Sequence, residues 1–262
     1  MAIESIPAPL RGKVALVTGG SRGIGAGIAK ILARNGCSHV AITYASNKTA
    51  GEKTLQAIKD LGGSIKAALI KGDVRDLQFG ESVVTETLKQ LDVDHIDIMV
   101  SNAALLNVED FPPVANLPHN LWNDMMNSEA WTPLELARQS FKVMPAEGRI
   151  IFISSGSSQL PQGDITLPYA AAKAALDTIS RNLAVMYAAK NITVNSISVG
   201  ATETDTLRRA FDKMPGFENM ATNLAMFKRI GTVEDVAEIV AFIASPQAGC
   251  KSLLIVLREC RH

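Results

Sequence analysis

The sequence carries no net charge, because its 26 lysines and arginines are matched by 26 aspartates and glutamates. That balance removes the electrostatic argument for nucleic acid or an anionic membrane as a partner, since both recruit proteins through an excess of basic groups. Cysteine is scarce. Cys37, Cys250 and Cys260 are odd in number and form no CxxC or Cys/His spacing, so neither a disulfide framework nor a metal site is indicated and free thiols in a reducing compartment are expected. Long apolar runs are missing as well. No stretch approaches the roughly twenty residues that a membrane-spanning helix needs. The opening MAIESIPAPLRGK lacks the basic and apolar regions of a secretory signal, so a cytoplasmic location is expected. No Pro/Gly/Ser-rich linker, repeat or low-complexity tract interrupts the chain, and residues 1–262 should form one domain.

What the chain does have is alternation of two apolar patterns. Val14-Ala15-Leu16-Val17 is a short continuous apolar run, as in a strand buried on both faces, and Ile24, Ile28, Ile31 and Leu32 follow at helical spacing. The turn between them is rich in glycine. Without a Cβ at Gly19, Gly23 and Gly25 the turn can close and let its backbone approach a pyrophosphate, with the N–H groups of Gly23, Ile24 and Gly25 facing the anion. The same glycines also suit a turn that binds nothing. The stretch 39–44 reads as the next strand and ends about twenty residues beyond the turn, where a ribose-reading residue belongs.

Further strands are expected at 64–71, 96–100, 149–153, 192–197 and 252–257, and helices at 49–61, 77–91, 120–144, 168–190 and 233–245. Pro133 cannot donate to the carbonyl of Glu129, so a kink or local break is expected inside 120–144. Strands alternating with helices predict an α/β fold of the Rossmann type, a doubly wound parallel sheet with helices on both faces. The segment 201–230 carries Phe211, Met214, Phe217, Met220, Leu224, Met226 and Phe227 with no sustained period. It reads as a substrate flap or as an ordinary packed subdomain, and its place after a strand's C-terminal end favours the flap.

Tyr169 and Lys173 lie four apart at the start of a helix, which puts them on one face. A tyrosine pKa near 10 is about three units too high for proton exchange near neutrality, and a nearby ammonium favours the phenolate. The pair is therefore a candidate general acid or base, although such pairs also occur on ordinary helices. At the end of the second strand an acidic residue would bind the free 2′-hydroxyl of NAD and repel a 2′-phosphate. Here the stretch is Tyr44-Ala45-Ser46-Asn47-Lys48, with no carboxylate. Arg22 and the hydroxyl of Ser46 can both bond a phosphate, which points to NADP(H). The alternative for Arg22 is a solvated turn residue.

Taken together, TGGSRGIG at 18–25, GDV at 72–74, SNAA at 101–104, Asn127, ISS at 153–155, YAAAK at 169–173 and NSISVGATET at 195–204 resemble, in order and spacing, the short-chain dehydrogenase/reductase family. The resemblance covers about residues 13–245. It implies a catalytic tetrad: Tyr169 as proton donor to a carbonyl oxygen, Ser155 bonding the same oxygen, Lys173 lowering the tyrosine pKa and holding the ribose, and Asn127 positioning a relay water. Ser154, Ser157 and Ser158 are rivals for the role of Ser155, and Asn127 is alternatively a satisfied helix amide. The cofactor set implied is Gly19, Ser21, Arg22, Gly23, Ile24, Gly25, Tyr44, Ala45, Ser46, Asp73, Val74, Asn102, Ala103, Tyr169, Lys173, Gly200 and Thr202. Within it Asp73 resembles the adenine contact, and Asn102 with Ala103 the contact beside the adenosine ribose.

The implied function is NADPH-dependent reduction of a ketone or aldehyde, or the reverse oxidation, on a small to medium apolar metabolite such as a polyketide, terpenoid or alkaloid intermediate. A homotetramer or homodimer through helices 120–144 and 168–190 is implied too. Two other classes stay open, a non-catalytic NADP(H)-binding protein and a non-redox catalyst on the same fold. The chain departs from the family pattern in Val199-Gly200 where Pro-Gly is usual, in Ala104 where glycine is usual, and in the tail GCKSLLIVLRECRH. That tail leaves open the seventh strand and the oligomer contact that depends on it.

Overall fold

Seven parallel strands form one sheet in the computed structural model, which describes residues 8–62, 64–105, 112–160, 163–164, 166–225, 227–249, 251–252 and 255–256. In chain order they are β1 (Val14–Val17), β2 (His39–Tyr44), β3 (Lys66–Lys71), β4 (Ile98–Ser101), β5 (Arg149–Ser155), β6 (Thr193–Val199) and β7 (Ile255–Val256). Across the sheet the order is β3-β2-β1-β4-β5-β6-β7. Parallel neighbours cannot be joined by hairpins, so helical segments make the crossovers. The helices are α1 (Gly23–Arg34), α2 (Lys48–Lys59), α3 (Phe79–Leu91), α4 (His119–Met126), α5 (Thr132–Val143), α6 (Leu167–Tyr187), α7 (Asp205–Lys213), α8 (Phe217–Leu224) and α9 (Val233–Ala244).

The continuous apolar run of β1 has a simple cause. Ala15 and Val17 point into a core shared with α1 and α9, while Val14 and Leu16 point into a second core shared with α3, α5 and α6. Both faces are covered, so neither set of alternating positions can be polar. At about 1.5–3 kcal/mol for each fully buried large aliphatic side chain, this two-sided burial holds the sheet. The layer on the α1 side is thin because glycine makes it so: a Cβ on Gly27 would lie 2.1 Å from Val233 Cγ1, and any side chain there would drive α1 and α9 apart.

The break expected near Pro133 is a π-helical turn, Asn127–Trp131, between α4 and α5. Pro133 stands directly after it in the first turn of α5, where its missing N–H leaves the ordinary bond to the carbonyl of Glu129 unmade. The N–H of Thr132 reaches back five residues to the carbonyl of Asn127. The additional residue in this turn leaves Ser128, Glu129 and Ala130 buried in succession.

Strands β5 and β6 run two residues further than their apolar patterns indicate, because they pair with each other, Ser154 with Ser198 and Ser155 with Val199. Valine at 199 keeps an N–H that proline would lack, which suits a strand continuing to that point. The segment after β6 is not irregular. It forms α7 and α8, with Phe211 packed edge-on to Phe217 at 5.8 Å between ring centroids; Met226 and the side chain of Leu224 lie outside the described residues. The unusual tail does provide a seventh strand, short but in register, with Ile197 opposite Ile255 and Ser198 opposite Val256. Cys250 and Cys260 lie outside the described residues. Cys37 is a buried free thiol, pushed up to about 12 by burial and by Asp97, and is therefore chemically inert in the native protein. Among the described residues no helix is long and apolar enough to cross a membrane.

Candidate active site

All seven strands are parallel, so their C-terminal ends open on one edge of the sheet. The chain crosses from β3 to β4 on the other side of β1, which makes the space beyond β1 and β4 the topological switch point where such sheets take ligands. The glycine turn is fixed there by a polar brace. Thr18 Oγ1 accepts the N–H groups of Asn102 and Ala103, both at 3.0 Å, and Asn102 Nδ2 donates to the carbonyl of Thr18 at 2.9 Å. Gly19, with φ +66°, donates to Thr43 Oγ1 at 2.9 Å. The Asn102 amide thus supports the turn.

A Cβ on Gly25 would lie 2.3 Å from the carbonyl oxygen of Gly19 and 2.5 Å from Asn102 Nδ2. Gly25→Ala must therefore push the turn off its brace, and we expect cofactor affinity to fall at least tenfold, about 1.4 kcal/mol. Fluorescence titration with reduced nicotinamide dinucleotides measures this, and an unchanged affinity would remove the turn from the binding site.

Helix α1 begins at Gly23, and its N-cap Arg22 makes no side-chain cap bond, so the first N–H groups of a twelve-residue helix are left for an anion. Arg22 is exposed, and its guanidinium has no partner among the described residues. Ala45 and Ser46 are exposed beside Asn47, which caps α2 by accepting from the N–H of Ala50; Tyr44 is partly buried at the end of β2. The carbonyl of Ser21 accepts from Thr54 Oγ1 at 3.1 Å, tying the turn to α2. Asp73 is gripped by Arg75, whose Nε lies 3.0 Å from Oδ1, and this hydrogen bond holds the carboxyl below the usual carboxylate range. Asp73 is therefore a fixed ionised acceptor. Next to it the carbonyl of Val74 accepts from Thr132 Oγ1 at 2.9 Å.

The inward face of α6 carries Pro168, Ala172, Lys173, Leu176, Asp177 and Ser180, so the helix delivers Tyr169 and Lys173 to the edge of β5. Lys173 is 3% exposed. Its Nζ donates to the carbonyl of Ile153 at 2.8 Å and lies 5.6 Å from the centre of the Tyr169 ring. Ser155 lines the cavity with Tyr169, and its hydroxyl donates to Ser157 Oγ at 3.2 Å. The other serines are placed differently: Ser158 donates to Asp177 Oδ2 at 2.7 Å, Ser154 Oγ is buried without a partner, and Ser157 gives its N–H to Ser155 Oγ at 3.2 Å. Asn127 opens the π turn, is partly buried and does not line the cavity.

Sequence reasoning missed Glu129. This carboxylate is 0% exposed and lies 2.9 Å from Lys173 Nζ, the approach being that of an ion pair rather than a well-aligned hydrogen bond to Oε2. Its other oxygen accepts the N–H of Leu105 at 2.5 Å. The one available signal was an acidic residue amid a segment otherwise destined for the interior. Its effect is considerable. Burial raises the Tyr169 hydroxyl above its ordinary range, Lys173 and the Ser155 hydroxyl pull it down, and Glu129 pushes it up, with a net rise. Burial pulls the Lys173 ammonium down, but Glu129, with Tyr169 and Asp177 behind it, holds it above its ordinary range. The Lys173 ammonium acts on the tyrosine in the expected sense, lowering it, and burial together with Glu129 outweighs it.

Above this cluster opens a cavity of about 1220 Å³, counting its solvent-open part. Ile24, Asn102, Ser155, Tyr169, Lys173, Gly200 and Thr202 line the cradle side, and Leu207, Ala210, Phe217, Met220 and Ala221 of α7 and α8 line the other. Thr204, the N-cap of α7, joins the two: its Cγ2 is 3.2 Å from where a Cβ of Gly23 would sit.

A braced anion turn beside a Ser–Tyr–Lys cluster defines a nucleotide-dependent oxidoreductase, and comparison with known proteins makes this specific. The family model described as enoyl-(acyl carrier protein) reductase matches residues 19–252. Short chain dehydrogenase penD of Penicillium thymicola is 35% identical over 249 residues, covering 94% of this chain and 90% of the relative. Hydroxynaphthalene reductase arp2 of Aspergillus fumigatus is 35% identical over 250 residues, covering 92% and 88%. The solved structure of LugOII, a promiscuous reductase that catalyses keto-reduction at C1 during lugdunomycin biosynthesis, superimposes with a TM-score of 0.86 at 32% identity, covering 95% of this chain and 97% of that one. The angucycline C-6 ketoreductase LanV, solved with bound NADP, gives 0.85 at 28% identity, covering 95% of each chain. The chain belongs to the short-chain dehydrogenase/reductase family.

Proposed function

We propose that this protein reduces the carbonyl group of a small to medium apolar metabolite of secondary metabolism with NADPH as cofactor. The observation that carries this reading is the Ser155–Tyr169–Lys173 cluster opening into a cavity whose far wall, from α7 and α8, is apolar. The relatives that act on hydroxynaphthalene and angucycline compounds support a fused-ring ketone as the substrate class. In this reading residues 201–230 are the substrate-facing flap of a single 262-residue domain in the cytoplasm.

When bound, the nicotinamide supplies the hydride that reaches the carbonyl carbon. As charge grows on the carbonyl oxygen, Tyr169 passes its proton to it and Ser155 donates a hydrogen bond to the same atom; donors already fixed where charge develops lower the barrier without reorganising. Lys173 would hold the ribose hydroxyls, the glycine turn and α1 N-terminus the pyrophosphate, and Asp73 the adenine. Exposed apolar side chains on the π turn and α6, Trp131 at 41%, Val185 at 80% and Met186 at 66%, support a homodimer or homotetramer built there.

Selection of the phosphorylated cofactor gives the test. With no carboxylate at the end of β2 and a free guanidinium on Arg22, NADPH should bind at least tenfold tighter than NADH, about 1.4 kcal/mol, and Arg22→Ala should narrow the gap. Consumption of NADPH absorbance with a panel of fused-ring ketones completes it. Equal affinities would overturn the cofactor assignment, and binding without turnover on any ketone would return the protein to a nucleotide-binding role.

A further inference from the structure

Lys173 is the one charged side chain that lines the cavity among the described residues, and it is not alone electrostatically. Two segments converge on it, β5 through the carbonyl of Ile153 at 2.8 Å and the π turn through Glu129 at 2.9 Å, and the loop after β4 holds Glu129 in turn through the N–H of Leu105 at 2.5 Å. Resting on the carbonyl-reductase reading and deepening it, we propose that Glu129 is a positioning residue that pins the Lys173 ammonium beneath Tyr169 and keeps Tyr169 as a neutral phenol, so that the resting site stands ready to donate a proton.

The argument is one of charge geometry. A lone ammonium beside a phenol favours the phenolate and so prepares a base. A carboxylate in contact with that ammonium turns a monopole into a short dipole, whose field at the phenol is much weaker. Burial then decides, and it favours the uncharged phenol. Of the other groups facing the pair, the Ser155 hydroxyl of β5 acts with Lys173 in pulling Tyr169 down, while Asp177, one turn along α6 and bonded to Ser158 and Ser196 of β6, adds negative charge beside Lys173.

The proton balance follows. Reduction moves hydride to the carbonyl carbon and the Tyr169 proton to its oxygen, leaving a phenolate against Lys173. Glu129 destabilises that phenolate, so proton return by way of the ammonium and finally from solvent is favoured. The overall equilibrium is set by the reactants and is untouched; what Glu129 sets is the pH range in which each direction runs. Alcohol oxidation, which needs the phenolate, is displaced to more alkaline pH.

The experiment uses the ligand-free protein. The chain has three tyrosines, so subtracting the ultraviolet titration of Tyr169→Phe isolates the ionisation of Tyr169. In the wild type it should begin only above the ordinary tyrosine range near pH 10, and Glu129→Gln should move it down by about one pH unit, with Glu129→Asp restoring most of the wild-type curve. The alkaline limb of alcohol oxidation should move with it, while a role in packing alone would change neither midpoint. An unmoved or upward-shifted curve in Glu129→Gln overturns the proposal. If that variant does not fold, the wild-type curve decides: ionisation of Tyr169 below the ordinary range overturns it. Because no substrate enters this titration, failure of the reductase reading would show separately, as absence of turnover with any ketone.

Discussion

Tyr169→Phe should lower the rate of ketone reduction by roughly two to four orders of magnitude, the usual contribution of one general acid, and should leave cofactor affinity nearly unchanged. The expectation rests on placement. The phenol lines the cavity with Ser155, whereas the anion turn is built by β1, α1 and the brace on Thr18. Removing one hydroxyl from the cluster removes a proton without disturbing that brace. Stopped-flow measurement of the single-turnover rate separates the chemical step from cofactor binding. Near-normal turnover in this variant would assign the proton to another group or to water.

Breaking the buried pair destabilises the whole protein. Glu129→Ala leaves the Lys173 ammonium, 3% exposed, without its counter-charge, and such an uncompensated ion costs about 3–5 kcal/mol. Against a total stability of about 5–15 kcal/mol this is a large fraction, and at roughly 2–4 °C per kcal/mol for a chain of this size Tm should fall by about 6–20 °C. Calorimetry checks it, and a loss under about 1 kcal/mol would show that the pair contributes little to the fold. The pH dependence has a defined sign. The folded Lys173 and Tyr169 both hold their protons more tightly than their unfolded counterparts, so the native state binds the extra protons. Their contribution is fully present below about pH 10, the ordinary range of both groups, and is lost as pH rises through the folded values.

The strands and the glycine turn were legible because their causes are local. A run such as Val14–Val17 has no polar residue to spare for either face, and Gly19, Gly23 and Gly25 fall together between an apolar strand and a helical pattern, which marks a tight turn. Tyr169 and Lys173 were legible for the same reason, a separation of four on one helix. Glu129 was not. Whether residue 129 faces inward depends on the π turn, which shifts the helical register by one residue, and a periodicity of 3.6 does not reveal it. The engagement of Asp73 by Arg75 depends on a turn conformation that composition leaves open. The segment 201–230 concealed two helices because part of its apolar surface, including Leu207, Phe217 and Met220, faces a cavity rather than a single core.

The π turn carries one more consequence. Deleting a single residue between Glu129 and Thr132 would restore the ordinary helical repeat and turn α4 by about 100° against α5, carrying Glu129 away from Lys173 with every side chain of the site still present. The acid–base character of this site is thus written partly as arithmetic: it depends on how many residues the helix holds at that point as well as on which ones they are.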